Sequence, residues 1–278
     1  MAEQLHPILA KTDDSFNEKE LSRYDFAFEI SDSLFRYSIR DVEKNKFIAL
    51  GCYKDHLSDV LNANPWMTQP FHKVNCVIGN AKATLIPEAL FIESEKESYF
   101  HFLQEKEAGE VVLTDRIEHL GIYTVYGISG ICRKDLYKFF PNAGLCHISS
   151  VLIENIWMIV KNMTGCQVYL NIRDGQFDLL VFEGKQLKYC NVFKYLTAED
   201  IAYYVIFVFE QLNLNPEEIR MNLAGNTDRF SPLYDLLFRY IRNIEFVGRN
   251  GSFNYSYVLN EVPGHAYYSL LNPISCGS

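Results

Sequence analysis

The chain repeats one order of secondary-structure signals half its length apart. In the first copy, Phe26, Phe28 and Ile30 alternate with polar or small residues, Asp32-Ser33 makes a turn, and residues 34–39 and 47–53 continue as two more strands. A helix pattern over 55–61 follows, then a short apolar strand at 74–78, Gly79-Asn80 and a helical-looking stretch at 86–91. In the second copy, strands are expected at 167–171, 177–182 and 186–193, with a turn at Arg173-Asp174-Gly175. Thr197 with Asp200 three residues on reads as a capping-box variant, and 201–212 is apolar nearly all round, as in a sandwiched helix. A strand at 219–223 ends in Gly225-Asn226, and Ser231-Pro232 opens a helix with Leu233, Leu236, Leu237, Tyr240 and Ile241 on one face. An offset of 142 pairs Glu29 with Asn171 and Phe35 with Phe177, and an offset of 146 pairs the two Gly-Asn dipeptides. A period this long does not suit a solenoid; it suggests two similar α/β lobes descended from a duplication.

Between the copies lie a charged helical stretch at 93–107, a strand at 122–128 and helices at 133–140 and 150–162. The tail offers one strand, at 255–259. The expected division is a polar arm at 1–24, a first lobe at 25–148, a second lobe at 149–247 and a strand-bearing tail at 248–278. With 278 residues, 48% of them hydrophobic, the chain has enough apolar content for such cores and too much for disorder.

Charge and cysteines remove several function classes. Against 35 acidic residues stand 26 Lys and Arg, a net of -9 with no basic cluster, so nucleic acid is not an expected partner. The first 24 residues carry Lys11, Asp13, Asp14, Glu18, Lys19 and Glu20 and no apolar core, which does not read as a secretory signal. The longest apolar run, 201–209, is too short for a membrane-spanning helix, and a cytoplasmic location is expected. Seven dispersed cysteines without a CxxC pair suit neither a disulfide framework nor a zinc site; they read mostly as small core residues in a reducing compartment. His6, His56, His72, His101, His119, His147 and His265 show neither HxH nor HExxH spacing, so no metal site is expected. Gly127-Ile128-Ser129-Gly130 is half a nucleophile elbow without its second glycine, and no catalytic residue is assigned. The 20 Phe and 18 Tyr are expected chiefly in the core, with a partner groove as the alternative use.

A three-strand meander followed by helix, strand and helix, present twice, is the layout of the actin-like ATPase fold with two ribonuclease-H-like lobes. The segment running from Phe28-Glu29-Ile30-Ser31 to Ile39, the segment 191–195 followed by Thr197-Ala198-Glu199-Asp200, and Leu223-Ala224-Gly225 resemble a Bacteroidetes family of unknown function with that fold. The resemblance covers residues 24–247 and lies in pattern and order rather than in one catalytic motif. It implies mixed sheets flanked by helices. In active members of the wider superfamily, the first turn of each lobe approaches a nucleotide across a cleft, a strand-end Asp orients magnesium, and glycines let backbone N–H groups close on phosphates.

At the matching positions this chain departs from that pattern. Glu29 stands where the acidic residue would be, while Ser31, Asp32 and Ser33 replace the glycine-rich turn. In the second lobe Asn171, which cannot act as a general base, replaces the acid, and Arg173 the glycine; Asp174-Gly175 remains as a hairpin turn. Arg173 reads either as a phosphate partner or as a solvated turn residue. Of the nucleoside-side glycine pair only Gly225 is present, and it also suits a plain strand-to-helix turn. Glu29, Ser31, Arg173, Asp174, Gly175 and Gly225 are therefore the cofactor-binding candidates, for ATP with magnesium if any cofactor binds. Negative charge at Asp32 and Asp174 opposes an unassisted polyphosphate.

Two functions from different classes remain, with an actin-like filament former that self-associates through both lobe ends as a third possibility. One is a non-catalytic scaffold or interaction protein with a protein partner, peripheral to a membrane assembly as in similar proteins of pilus and secretion systems. The other is a divergent Mg-ATPase acting between the lobes. Partner identity and oligomeric state are not encoded legibly.

Overall fold

The computed structural model describes residues 5–31 and 34–272, so Asp32 and Ser33 lie outside the described residues. The chain divides into two units, 1–151 with 250–262 and 269–278, and 152–249 with 263–268.

The first unit holds β1 (Leu9–Thr12), β2 (Tyr24–Ile30), β3 (Phe35–Asp41), β4 (Lys46–Tyr53), α1 (Leu57–Ala63), β5 (Lys73–Ile78), β6 (Ala83–Pro87), α2 (Lys96–Leu103), β7 (Glu110–Ile117), β8 (Ile122–Ser129), α3 (Gly130–Phe139) and β9 (Gly144–His147). Its main sheet runs β1-β4-β3-β2-β5-β9. The meander β2-β3-β4 is antiparallel, whereas β5 and β9 run parallel to β2. Period-two alternation sends Phe26, Phe28, Phe35, Tyr37, Ile39 and Cys76 to one face, where they pack with Val60 and Leu61 of α1 and Leu136 of α3. A separate antiparallel sheet, β6-β8-β7, carries α2 over a small core of Phe100, Val112 and Val125.

Helix α4 (Ile148–Val160) contains the boundary between the units. The second unit holds β10 (Cys166–Arg173), β11 (Gln176–Glu183), β12 (Gln186–Lys194), α5 (Ala198–Gln211), β13 (Arg220–Gly225), α6 (Pro232–Phe238) and β14 (Asn243–Phe246). Its sheet runs β12-β11-β10-β13-β14, with the same antiparallel meander and two parallel strands. Val168, Leu170, Phe177, Leu179, Val181, Met221 and Leu223 form its core with the buried faces of α5 and α6.

The repetition extends to register. Glu29 pairs with Arg36 across β2 and β3, and Asn171 with Asp178 across β10 and β11, both at the offset of 142. Each meander also bulges at the same point, between Ile39 and Arg40 and between Val181 and Phe182. The Gly-Asn dipeptides, however, are not equivalent. Ile30 pairs with Ile78 but Ile172 pairs with Gly225, so Gly79 corresponds to Asn226, and both donate an N–H to the carbonyl of Ile30 or Ile172. The offset there is 147 rather than 146.

Other expectations also change. Residues 86–91 are not helical: the residue before Pro87 is held extended, β6 pairs with β8, and only a 3-10 turn, Glu88–Leu90, follows. The tail strand shrinks to β15 (Asn254–Tyr255) beside β4, because the Ser256 hydroxyl accepts from the Val258 N–H and starts a 3-10 turn, Tyr257–Leu259. Helix α5 is not sandwiched; Tyr203 is 66% exposed and Phe207 45%. Strands β1, β7, β9 and β14 were not expected. Cys52, Cys76, Cys132, Cys166 and Cys190 carry reduced thiols, whereas Cys146 is disulfide-bonded, against the reading of small unpaired core residues.

Candidate functional site

Glu29, Asn171 and Arg173 lie near strand ends and alternate with the core residues Phe28, Ile30, Leu170 and Ile172, so they fall on the sheet faces opposite the two apolar cores. In the first unit, Glu29 is buried near the end of β2. The Ser269 hydroxyl donates to its Oε2 at 2.5 Å, and Arg36 Nη1 lies 3.8 Å from Oε1. Gly79 sits beside it: a Cβ there would come within 3.4 Å of Oε1. The Ser31 N–H donates to the Leu34 carbonyl at 3.0 Å.

In the second unit, Asp178, the counterpart of Arg36, is bound into an ion pair with Arg173. Arg173 donates from Nε to Asp178 Oδ2 at 2.8 Å and from Nη2 to Oδ1 at 2.9 Å, and Asn171 Nδ2 adds a bond to Oδ2 at 2.9 Å. The Arg173 and Asp178 side chains are 4% and 0% exposed. Arg173 is therefore not the solvated turn residue its position suggested. It ends a strand whose alternate side chains share Asn171's face, and the fork geometry of guanidinium and carboxylate satisfies both charges. Burial first, and the Asp178 charge second, push the neighbouring Cys190 thiol far above its usual range. Asp174 and Gly175 form the two-residue turn between Arg173 and Gln176, with Gly175 at φ +68°. Tyr195 fastens that turn, its hydroxyl donating to the Arg173 carbonyl at 2.9 Å and its N–H to the Gly175 carbonyl at 3.1 Å.

Gly225 ends β13 at φ +83°, and a Cβ would stand 1.9 Å from the Ile172 carbonyl oxygen. Its N–H donates to the His265 carbonyl at 2.8 Å. His265 Nε2 contacts the Thr227 carbonyl at 2.7 Å; a carbonyl only accepts, so the proton is assigned to Nε2. The tail segments belonging to each unit thus engage its strand-end residue, Ser269 at Glu29 and His265 at Gly225.

Sequence reasoning missed Asp178, Ser269 and His265. A lone acid in the otherwise apolar run 177–182 was a usable signal for the first; nothing local marks the other two. It also missed a polar network in the first unit. Asp115 accepts from the Tyr126 hydroxyl at 3.1 Å, the His147 N–H at 2.7 Å and the Ser150 hydroxyl at 2.6 Å. His147, fully buried, contacts the Asn80 carbonyl through Nε2 at 3.1 Å and accepts the Ser149 N–H on Nδ1 at 3.2 Å. Asn80 and His147 lie at the carboxyl ends of β5 and β9, where open α/β sheets take ligands, yet here they bond to each other. Ser129, from the partial elbow, caps α3 by accepting the Cys132 N–H. Among the described residues no group of three His, Cys, Asp or Glu is placed to hold a metal ion, and no helix is long and apolar enough to cross a membrane.

Comparison with known proteins fixes the fold. A Bacteroides thetaiotaomicron protein with actin-like ATPase fold and unknown function is similar to this chain at a TM-score of 0.78 and 21% identity, over 93% of this chain and 99% of that one. The PilM-PilN type IV pilus biogenesis complex contains a chain similar at a TM-score of 0.58 and 11% identity, over 89% of this chain and 96% of that one. No curated protein sequence matches. The chain has the actin-like ATPase fold, and residues 13–244 match one family model, so it belongs to the family described as Protein of unknown function (DUF3822).

Proposed function

We propose that this chain is a cytoplasmic, non-catalytic interaction or scaffold protein in which the actin-like fold is kept and nucleotide turnover is not. The observation that supports this reading is the occupation of the nucleotide-turn positions by internal partners. Glu29 is taken by Ser269 and Arg36, Arg173 by Asp178, and the Gly225 N–H by the His265 carbonyl. A phosphate arriving at Arg173 would have to displace a buried bidentate carboxylate and leave Asp178 uncompensated, at a cost of about 3–5 kcal/mol. A partner-binding role also agrees with the fold's occurrence in a complex with PilN, an argument from fold alone. The reduced Cys52, Cys76, Cys132, Cys166 and Cys190 suit a cytoplasmic setting, while the disulfide at Cys146 counts against it. The shared strand order, bulge position and cross-strand pairs fit an internal duplication, one lobe carrying Glu29-Arg36 where the other carries Asn171-Asp178.

Titration calorimetry with Mg-ATP and a phosphate-release assay separate this reading from a divergent ATPase. The expected result is no saturable heat below a Kd of about 1 mM and no release above background. Micromolar binding with turnover that Glu29→Gln abolishes would reverse the conclusion.

A further inference from the structure

We infer that the outer edge of β12 is a docking site for an extended, acidic segment of a protein partner, which adds to the second unit's sheet as an antiparallel strand. The internal precedent is β1. In the first unit the third strand of the meander, β4, is covered on its outer side by β1, with Leu9 opposite Cys52 and Thr12 opposite Ala49. Register makes β12 the equivalent strand: Arg36 faces Cys52 and Asp178 faces Val192, so residues 189–192 correspond to the stretch that β1 covers. Among the described residues no strand pairs with the outer side of β12. Nine residues long, it is a longer edge than the average strand, and an open edge of this kind templates strand addition.

Its main chain is set for the purpose. The Tyr195 N–H points inward to the Gly175 carbonyl, so antiparallel alternation turns the groups of Val192 and Cys190 outward. The outward Val192 N–H donates to the neighbouring Asn191 Oδ1 at 3.0 Å, a local bond that an incoming strand carbonyl would have to replace.

Charge selects the occupant. Residues 184–195 contain Lys185, Lys188 and Lys194 and no acid, in a chain of net charge -9. Pairing with β12 of a second copy would bring Lys188 and Lys194 from each chain along one seam, which opposes it. The same lysines favour an acidic strand, so repulsion of self and attraction of partner come from one device. Lys188 is engaged with Glu183 at 3.0 Å, which leaves Lys194, at the strand's end, as the principal contact.

The inference deepens the partner-binding reading and rests on it. Its test uses the full chain and two labelled nine-residue probes, one alternating glutamate with valine and one alternating lysine with valine. Fluorescence polarisation should show the glutamate probe binding at least tenfold tighter than the lysine probe, and increasingly weakly as salt rises. Hydrogen exchange should slow at Cys190 and Val192. The double variant Lys188→Glu with Lys194→Glu should reverse the preference; if it does not fold, the salt dependence and exchange pattern of the unaltered chain decide. Absence of glutamate-probe binding at 1 mM, equal binding of both probes, or protection outside 186–194 would overturn the proposal. The Mg-ATP titration reads the nucleotide question separately, so failure of one does not imply failure of the other.

Discussion

A glycine is required either by a ligand or by its own neighbours, and Gly225 and Gly175 differ in how closely the latter press. Both have positive φ, but a Cβ at Gly225 would meet the Ile172 main chain, whereas nothing lies within 4 Å of one at Gly175. Gly175→Ala should therefore cost about 1 kcal/mol, the left-handed penalty alone, and Gly225→Ala at least about 3 kcal/mol. Urea unfolding of the two variants measures this directly, and equal losses would show that the close approach to Ile172 is not what fixes Gly225. Arg173 poses the same question in charge. Arg173→Met strands the Asp178 carboxylate in a dry site, a loss of about 3–5 kcal/mol, while adding Asp178→Leu should restore most of it. Additive losses in that double-mutant cycle would mean the two side chains are not energetically coupled.

At the scale of elements, stability depends on how strands and helices are tied at their ends. Asp13, just past β1, accepts from the Ser256 hydroxyl at 2.5 Å, the Ser15 N–H at 2.9 Å and Lys46 Nζ at 2.9 Å. Burial alone would raise its pKa, but these three donors outweigh it and hold the carboxyl well below its usual 3.8. A depressed folded-state pKa gives stability that is complete above about pH 4–5 and is lost as pH falls below that. Asp13→Asn should cost about 2 kcal/mol near neutrality, a difference that shrinks toward pH 2. A gap independent of pH in denaturant titrations would remove ionisation from the account. At the start of α5, the Thr197 hydroxyl accepts from the Asp200 N–H, and Asp200 accepts from the Thr197 N–H. That capping box was legible because its signal is local, as were the meanders, whose period-two alternation is written in consecutive residues. Strand β7 was not legible, because Thr114, Asp115 and Arg116 break its apolar alternation, and Asp115 is explained by Tyr126 on the next strand and by His147 and Ser150, more than 30 residues away. The turn candidates were legible as positions but not as contacts, since Asp178, Ser269 and His265 reach them through the folded sheet and tail.

For the molecule as a whole, the tail decides more than its sparse secondary structure suggests. It returns to both units after the last long strand, contributing 250–262 and 269–278 to the first and 263–268 to the second. In the first, Leu270 and Leu271 are almost fully buried and the Leu270 carbonyl accepts from the Ser38 hydroxyl at 3.0 Å. In the second, the His265 carbonyl holds the Gly225 N–H. Ending the chain after Val262 exposes two leucine sites worth about 1.5–3 kcal/mol each and strands a buried N–H worth about 1–3 kcal/mol. At about 2–4 °C per kcal/mol for a chain near this size, the melting temperature should fall by roughly 10–35 °C. His265→Ala keeps the main-chain acceptor and loses the bond from Nε2 to the Thr227 carbonyl and the ring contact with Phe246 at 4.6 Å, so its loss should stay at about 1–2 kcal/mol. Calorimetry on the full chain, the truncation and His265→Ala distinguishes a structural tail from a dangling one. A truncated chain melting within about 2 °C of the full one would show that Gly225 and Glu29 do not depend on the tail, and would reopen both positions to an external ligand.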